Sequence, residues 1–467
     1  MNQQAASLKI FALLENFVRT NLVYYKVMNS LISSWRKIMA LSALFLGACL
    51  AASDWMWHGS FPWVYSHETE EWIYWRAGKD GRFYQWSQSA GGWQIFNDGA
   101  QIWASLQAPD LNETKWSAWE TDPQSYGGAY TLEKIKSAIL NSQNSLDLSY
   151  HRMVDLSPLQ EATHLRTLFL SANQITNLEP LSNLRSLEVL HLNSNKVSDL
   201  SPLSNLLELK ELVLDDNELE DLTGSDLSPL AGLTRLVKLS LADNKLSSLE
   251  HLGNLKLLED LNLRGNVVSS LQAIANLTKV KTLDLGGNQV LDLSPIGQMV
   301  DLSVLYAEDN NISDISVLGN LDGLKEINFS NNKIQDLSGF SSIVEGRSYL
   351  WLADFSRNEV TSLEGIETLN NLRILALSQN SISDLSPLNQ MSELSTLLID
   401  FNQVSVLTPI KNLENLRGLY ANNNLLAEDS SVIEMNQLAE LYIYDNNLTD
   451  NRIVEIQDAL PSVRIEF

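Results

Sequence analysis

The chain has 467 residues and a formal net charge of −25. Residues 1–48 carry five Lys or Arg against one Glu, so the remainder carries −29; this argues against nucleic acid as a partner, and it either favours basic partners or simply reflects solvated surfaces. A single cysteine, Cys49, excludes an internal disulfide framework and a multi-cysteine zinc site within the chain.

An apolar run at residues 38–52 predicts an N-terminal signal. Two basic residues precede the run, as the charged segment of such signals does. The run is shorter than the roughly 20 residues that a membrane-spanning helix needs, so we expect a cleaved signal region over residues 1–48. A compact signal would start at Met28, and residues 1–27 would then be either a gene-model artefact or an amphipathic extension.

The apolar run contains the sequence Leu-Gly-Ala-Cys, from Leu46 to Cys49. This sequence resembles the lipobox of bacterial lipoproteins. The resemblance implies a lipid on Cys49 and an extracytoplasmic protein anchored to a bacterial membrane, in the outer membrane or at the cell surface. Several acyl chains would anchor it stably, since each buried methylene contributes about 0.8 kcal/mol. The alternative is an ordinary signal cut near Ala51 or Ala52, in which Cys49 is only a small apolar residue.

Tryptophan is concentrated in one part of the chain. Ten of the twelve Trp lie between Trp55 and Trp119, so we predict a separate Trp-rich module over residues 54–108. Aromatic and β-branched segments separated by turn residues predict an antiparallel meander. The predicted strands are residues 61–66, 71–77, 82–87 and 91–96.

The aromatic strings at residues 61–66, 72–75 and 83–86 resemble a hairpin motif of marine bacterial surface proteins, and that resemblance implies no function. The Trp side chains either build the core of a small module or stack, exposed, on sugar rings or a cell-wall component.

A linker and a capping helix are predicted between this module and the rest of the chain. Residues 109–130 are expected to be the linker, and residues 131–145 a helical cap for the first repeat. Thr131 can cap the helix, and its apolar residues recur on one face. These apolar residues are Leu132, Ile135, Ala138 and Ile139.

A repeat with the template L-x-x-L-x-L-x-x-N-x-I-x-D-L-S-P-L-x-x-L fills residues 146–449. Its phase is marked by an Asn every 22 residues, apart from two longer steps of 27 and 26, and His151 stands where an earlier Asn would fall. The longer steps place insertions at residues 223–226 and 342–348. The markers are Asn173, Asn195, Asn217, Asn244, Asn266, Asn288, Asn310, Asn332, Asn358, Asn380, Asn402, Asn424 and Asn446.

Each part of the template has a structural reason. The L-x-L segment predicts a short strand with inward leucines, and stacked turns form a parallel sheet. The Asn amide can satisfy backbone groups that the following corner turns inward, so the Asn ladder is predicted to be structural. Ser-Pro-Leu suits a 3₁₀ turn on the convex side. We predict a right-handed solenoid with a concave parallel sheet, closed by a helix and strand at residues 450–467.

The 22-residue period and the Asp-Leu-Ser-Pro-Leu signature resemble the short leucine-rich repeats of bacterial internalins. The resemblance covers the chain from Leu146 to Phe467 and implies a horseshoe that binds another protein on its concave sheet. The predicted lipid anchor departs from that family, so a host-receptor role is not carried over.

No catalytic machinery is predicted. The six His have no metal-ligand spacing, and Gly286-Gly287 is a corner in phase with the ladder, not a phosphate loop. The acidic segment around Asp215 lacks the spacing of calcium loops. We therefore expect a monomeric, non-enzymatic binding protein without metal or cofactor. The alternative is a cytoplasmic scaffold or inhibitor that binds an enzyme through the repeats.

Alternation along each strand predicts the binding surface. Positions six, four and two before each marker Asn should face the concavity. In the central turns they hold carboxylates predicted to be solvated, namely Glu211, Asp215, Asp260, Asp284 and Glu308. In later turns they hold Leu352, Ile374, Leu398, Tyr420, Tyr442 and Tyr444, predicted to line up as a partner-binding patch. The alternative is that strand propensity alone selected these six, or that the C-terminal cap covers them.

Overall fold

The computed structural model describes six strands between Trp55 and Ser105 and then residues 113–219, 227–343, 349–427 and 430–467. The predicted signal region and Cys49 lie outside the described residues, as do the insertion at residues 223–226 and most of the one at 342–348. The chain divides after Asp110 into two units.

The first unit contains a six-stranded antiparallel meander in which each strand pairs with the next along the chain. This confirms the predicted fold of the Trp-rich module and adds a strand at each end. The strands are β1 (Trp55–Trp57), β2 (Trp63–Ser66), β3 (Glu71–Ala77), β4 (Phe83–Ser87), β5 (Gly92–Asn97) and β6 (Ile102–Ser105).

The second unit opens with two helices, α1 (Glu113–Thr121) and α2 (Ala129–Leu140). Helix α1 occupies part of the predicted linker, because Trp116 and Trp119 are buried and pack edge to face with ring centroids 5.0 Å apart. The five buried residues of α2 include all four of the predicted apolar face. Thr131 does not cap the helix: it lies in the first turn, and its hydroxyl donates to the carbonyl of Gly127 at 2.8 Å.

Fifteen parallel strands form one sheet in chain order after these helices. Each has three residues, and its central residue is an apolar side chain pointing into the core. The strands are β7 (Ser145–Asp147), β8 (Thr167–Phe169), β9 (Val189–His191), β10 (Glu211–Val213), β11 (Lys238–Ser240), β12 (Asp260–Asn262), β13 (Thr282–Asp284), β14 (Val304–Tyr306), β15 (Glu326–Asn328), β16 (Leu352–Asp354), β17 (Ile374–Ala376), β18 (Thr396–Leu398), β19 (Gly418–Tyr420), β20 (Glu440–Tyr442) and β21 (Arg464–Glu466).

Short 3₁₀ turns lie between the parallel strands, and one more lies between α1 and α2. In the Ser-Pro-Leu turns Pro stands at the start, where its missing N–H and fixed φ suit the first turn. The Asp of the template accepts a hydrogen bond from the Ser N–H, as Asp384 does from Ser386 at 2.8 Å. The turns are Gln124–Tyr126, Ser157–Glu161, Glu179–Leu181, Ser201–Asn205, Ser228–Leu230, Leu252–Asn254, Gln272–Ile274, Ser294–Gln298, Ser316–Asn320, Ser338–Ser342, Ile366–Thr368, Ser386–Leu388, Thr408–Ile410 and Ser430–Glu434.

The marker Asn residues form a hydrogen-bonded ladder beneath the corners. Asn288 is typical: its Oδ1 accepts from the N–H of Val268 at 2.9 Å, and its Nδ2 donates to the carbonyls of Leu263 at 2.9 Å and Leu285 at 3.0 Å. Each marker thus joins its own turn to the preceding ones and satisfies backbone groups that water does not reach.

The array ends in helix α3 (Asp450–Ala459) and strand β21. Thr449 caps α3, since its hydroxyl accepts from the N–H of Arg452 at 3.3 Å. Ile456 and Leu460 are buried under the last turn. No helix among the described residues has the length and apolar character needed to cross a membrane.

Candidate partner-binding surface

The register of the parallel sheet sorts the outward side chains into rows. We call the residues six, four and two positions before each marker Asn the first, second and third row. The strand pairing places first-row residues side by side, as with Leu352 and Ile374, and does the same for the second row, as with Leu398 and Tyr420. The residues between the rows are core leucines and their equivalents, so the rows face the concavity.

The six predicted contact residues form a stepped patch and not a single line. Leu352 and Ile374 are neighbours in the first row, Leu398, Tyr420 and Tyr442 are neighbours in the second row, and Tyr444 stands in the third. Five of them are half-buried, and Tyr444 is 39% exposed. We call these six residues the apolar patch.

Two tyrosines form the most ordered part of this patch. The rings of Tyr420 and Tyr442 stack with centroids 4.8 Å apart and planes 13° from parallel. The Tyr420 hydroxyl donates to Glu440 at 2.7 Å, and this hydrogen bond raises the pKa of Tyr420 to about 12. The Arg464 guanidinium lies 5.7 Å from the centroid of the Tyr442 ring. The C-terminal strand therefore supports the edge of the patch without covering all of it.

The same diagonal contact recurs along the sheet. Tyr306 donates to Glu326 at 2.6 Å in the way that Tyr420 donates to Glu440, from the second row to the first row of the next strand. The Tyr306 pKa is raised to about 12 by that hydrogen bond. A Glu in the first row thus holds the ring on the preceding strand in place.

The central carboxylates were predicted to be solvated, but the structure places them half-buried. Arg264 pairs with Glu308 across Gly286, where a Cβ would come within 2.6 Å of the guanidinium and 2.8 Å of the carboxylate. The other oxygen of Glu308, Oε2, is buried and has no hydrogen-bond partner among the described residues. Burial raises the pKa of Asp284, and the neighbouring Glu308 adds to the effect.

The other central carboxylates are also partly removed from water. Burial raises the pKa of Asp260. Burial opposes ionisation of Glu211 as well, but His191, 3.0 Å away, and Lys238, 3.3 Å away, outweigh it and lower its pKa. Asp215 accepts from the N–H of Ala242 at 2.8 Å and so joins two turns.

Phe401 is a surface residue that the strand-counting rule did not reveal. It stands one position before Asn402, at the corner where the backbone adopts a positive φ in every repeat; its own φ is 56°. Bulky side chains avoid this conformation, and Phe401 is nevertheless 50% exposed, so core packing does not explain it. A large aromatic at the corner position could have revealed it. Before His151 the equivalent corner is Tyr150, with a φ of 64°. Before the other marker Asn residues the corners are Ala172, Ser194, Asp216, Asp243, Gly265, Gly287, Asp309, Asn331, Arg357, Gln379, Asn423 and Asp445.

Among the described residues, no group of three or more His, Cys, Asp or Glu is arranged to hold a metal ion.

Comparison with known proteins supports the fold. Residues 300–342 match the family of leucine-rich repeats (two copies). An internalin, InlF, from Listeria monocytogenes is 28% identical, with a TM-score of 0.62 over 74% of this chain and 96% of that one. A leucine-rich repeat protein of Leptospira interrogans is 23% identical, with a TM-score of 0.57 over 71% of this chain and 98% of that one.

A plant peptide hormone receptor, RGFR1, in complex with RGF2, is 27% identical, with a TM-score of 0.55 over 65% of this chain and 52% of that one. No curated protein matches the chain. Repeats of this kind commonly use their extended concave surfaces for binding. The periodic sequence, the parallel sheet with its 3₁₀ turns and these similarities identify the chain as a leucine-rich repeat solenoid with internalins among its structural neighbours.

Proposed function

We propose that this protein is a non-enzymatic binding module that holds another protein on the apolar patch of its concave sheet. The observation that carries the proposal is the stacked Tyr420–Tyr442 pair, which presents large aromatic area on a rigid sheet. Aromatic side chains contribute much of the energy of protein interfaces, and rings already fixed in place lose little entropy on binding. The Glu440 hydrogen bond provides that fixation for Tyr420.

Phe401 extends the proposed surface beyond the apolar patch. A non-glycine residue in the left-handed region costs about 1 to 2 kcal/mol, and exposed strained residues often belong to functional sites. Phe401 lies in the repeat that carries Leu398, and its exposed ring contributes to no described aromatic contact. A contact with the partner would explain why a bulky residue occupies this corner.

Substitution Phe401→Asn tests this assignment. Asn tolerates positive φ and occupies the equivalent corner at Asn423, so we expect the free energy of unfolding to rise by about 1 kcal/mol. Binding of the partner should weaken by about fivefold if an aromatic contact worth about 1 kcal/mol is lost. Denaturant unfolding and affinity, measured on the same preparation, check the expected gain in stability and the expected loss of binding. A stabilised variant with unchanged affinity would show that Phe401 lies outside the interface.

The partner is to be found by affinity capture from the envelope and medium of the source organism, with the described repeat array as bait. The wild-type array should retain a protein that the Phe401→Asn variant retains less well. Equal recovery on both, together with equal recovery on a patch variant such as Leu398→Glu, would contradict binding on this surface.

We further propose that the protein acts outside the cytoplasm, tethered by a lipid on Cys49. The lipobox-like sequence that ends at Cys49 supports this proposal. In this proposal the acyl chains on Cys49 hold the protein at the membrane. Substitution Cys49→Ser removes their attachment point and should move the protein from membrane to soluble fractions. Fractionation and mass spectrometry of the N-terminal peptide check the outcome. Unmodified Cys49 in a protein that still sediments with membranes would contradict the tether and leave the cytoplasmic alternative open.

A further inference from the structure

We propose that the partner segment bound on the concave sheet is extended and positively charged, and that it carries an aromatic or aliphatic side chain as its anchor. This rests on the proposed function. The apolar patch receives the anchor, and the central carboxylates Asp284 and Glu308 receive a Lys or Arg.

The charge of the outward rows is the first argument. Carboxylates greatly outnumber cations among the side chains that face the concavity, so a basic segment is attracted and an acidic one is repelled. The cations are Lys238, Arg264 and Arg464. The carboxylates are Asp147, Glu211, Asp215, Asp260, Asp284, Glu308, Glu326, Asp354, Asp400, Glu440 and Glu466.

The ion pair over Gly286 is the second argument. The absence of a side chain at Gly286 lets Arg264 reach Glu308 two strands away, so that the two side chains meet over the Gly286 backbone. Glu308 has one oxygen on Arg264, and its other oxygen is buried without a donor among the described residues. A buried acceptor without a partner is costly, and a rotation of the Glu308 side chain would present this oxygen to a Lys or Arg of the bound segment. Asp284 lies on the adjoining strand, and its Oδ1 accepts a hydrogen bond from the N–H of Gly286 at 2.9 Å.

The spacing of the two contacts sets the length of the segment. Glu308 follows β14, and Tyr420 ends β19, five strands further along the sheet. Strands about 4.8 Å apart place the contacts about 24 Å from each other, which an extended peptide spans with about seven residues. A helix rises about 1.5 Å per residue and would need about 16 residues to cover the same distance, more than twice the length of the extended segment.

Selection from a random 12-residue phage-displayed peptide library on the immobilised full chain tests the proposal. We expect the selected peptides to carry Lys or Arg together with Trp, Tyr, Phe or Leu about seven positions away. Their synthetic versions should bind the Glu308→Gln and Asp284→Asn variants at least fivefold more weakly than wild type. Both substitutions keep the side-chain shape and an oxygen acceptor, and melting curves confirm that the variants are folded.

The matched controls are Glu179→Gln and Glu364→Gln, which remove exposed charges at or beside the convex 3₁₀ turns. Binding to these controls should be unchanged. The proposal is overturned if selection yields neutral or acidic peptides, if no peptide is enriched, or if the controls lose binding as much as the central variants. Capture of a protein that depends on the apolar patch, but whose contact segment carries no cation, would overturn this inference while leaving the proposed function intact.

Discussion

Replacing Asn288 by alanine is expected to lower the free energy of unfolding by about 3 kcal/mol, since each buried polar group left without a partner costs about 1 to 3 kcal/mol. The substitution removes the acceptor of the Val268 N–H and the donor to the carbonyls of Leu263 and Leu285. These groups belong to successive turns in the middle of the array. Neighbouring turns depend on each other for stability in a solenoid, so the loss should propagate along the array.

Denaturant unfolding followed by circular dichroism measures this effect. The matched control is Asn412→Ala, an exposed Asn outside the ladder, which should change the free energy of unfolding by less than about 0.5 kcal/mol. If Asn288→Ala unfolds at the denaturant concentration of the wild type, the hydrogen-bonded ladder does not support the solenoid as described.

Replacing both Tyr420 and Tyr442 by alanine is expected to weaken partner binding by about 2 kcal/mol or more, which is a factor of about 30. The pair offers stacked aromatic area on the second row, and its removal leaves a flat surface beside Leu398. The cost in stability should stay within about 1.5 kcal/mol, the value of an aromatic pair, because the core leucines beneath are unchanged.

The control for this variant is Tyr130→Ala, which replaces a tyrosine that is 66% exposed at the N-terminal end of the array. Its loss should leave affinity unchanged. Wild-type affinity in the Tyr420 and Tyr442 variant, with loss of binding after charge reversal at Asp260 and Asp284, would move the interface to the middle of the sheet.

Much of the fold was predictable because the repeat fixes its own register. Each core leucine has a fixed position relative to the marker Asn of its repeat. The sequence therefore shows which strand residues are buried and which face outward, and the rows are obtained by counting. Helix α1 could not be predicted in the same way. Trp116 and Trp119 resemble the preceding Trp-rich stretch in composition, and their burial depends on packing with α2 that local sequence does not show.

The candidate surface was predictable in its residues but not in its contacts. The counting rule places Tyr420, Tyr442 and Glu308 on the concave side. It does not show that Glu308 meets Arg264 across Gly286. That contact joins residues 44 positions apart, and it is possible only because Gly286 between them has no side chain. Nor does it show the positive φ at Phe401, a backbone conformation that large side chains disfavour.

Hydrogen–deuterium exchange of the full chain with and without its captured partner tests most directly that the concave sheet is the binding surface. Increased protection is expected in strands β16 to β20 and at the corner around Phe401, with a smaller effect around Glu308. The 3₁₀ turns on the opposite side should exchange at the same rate in both states. Protection confined to those turns or to the six-stranded module would contradict binding on the concave sheet.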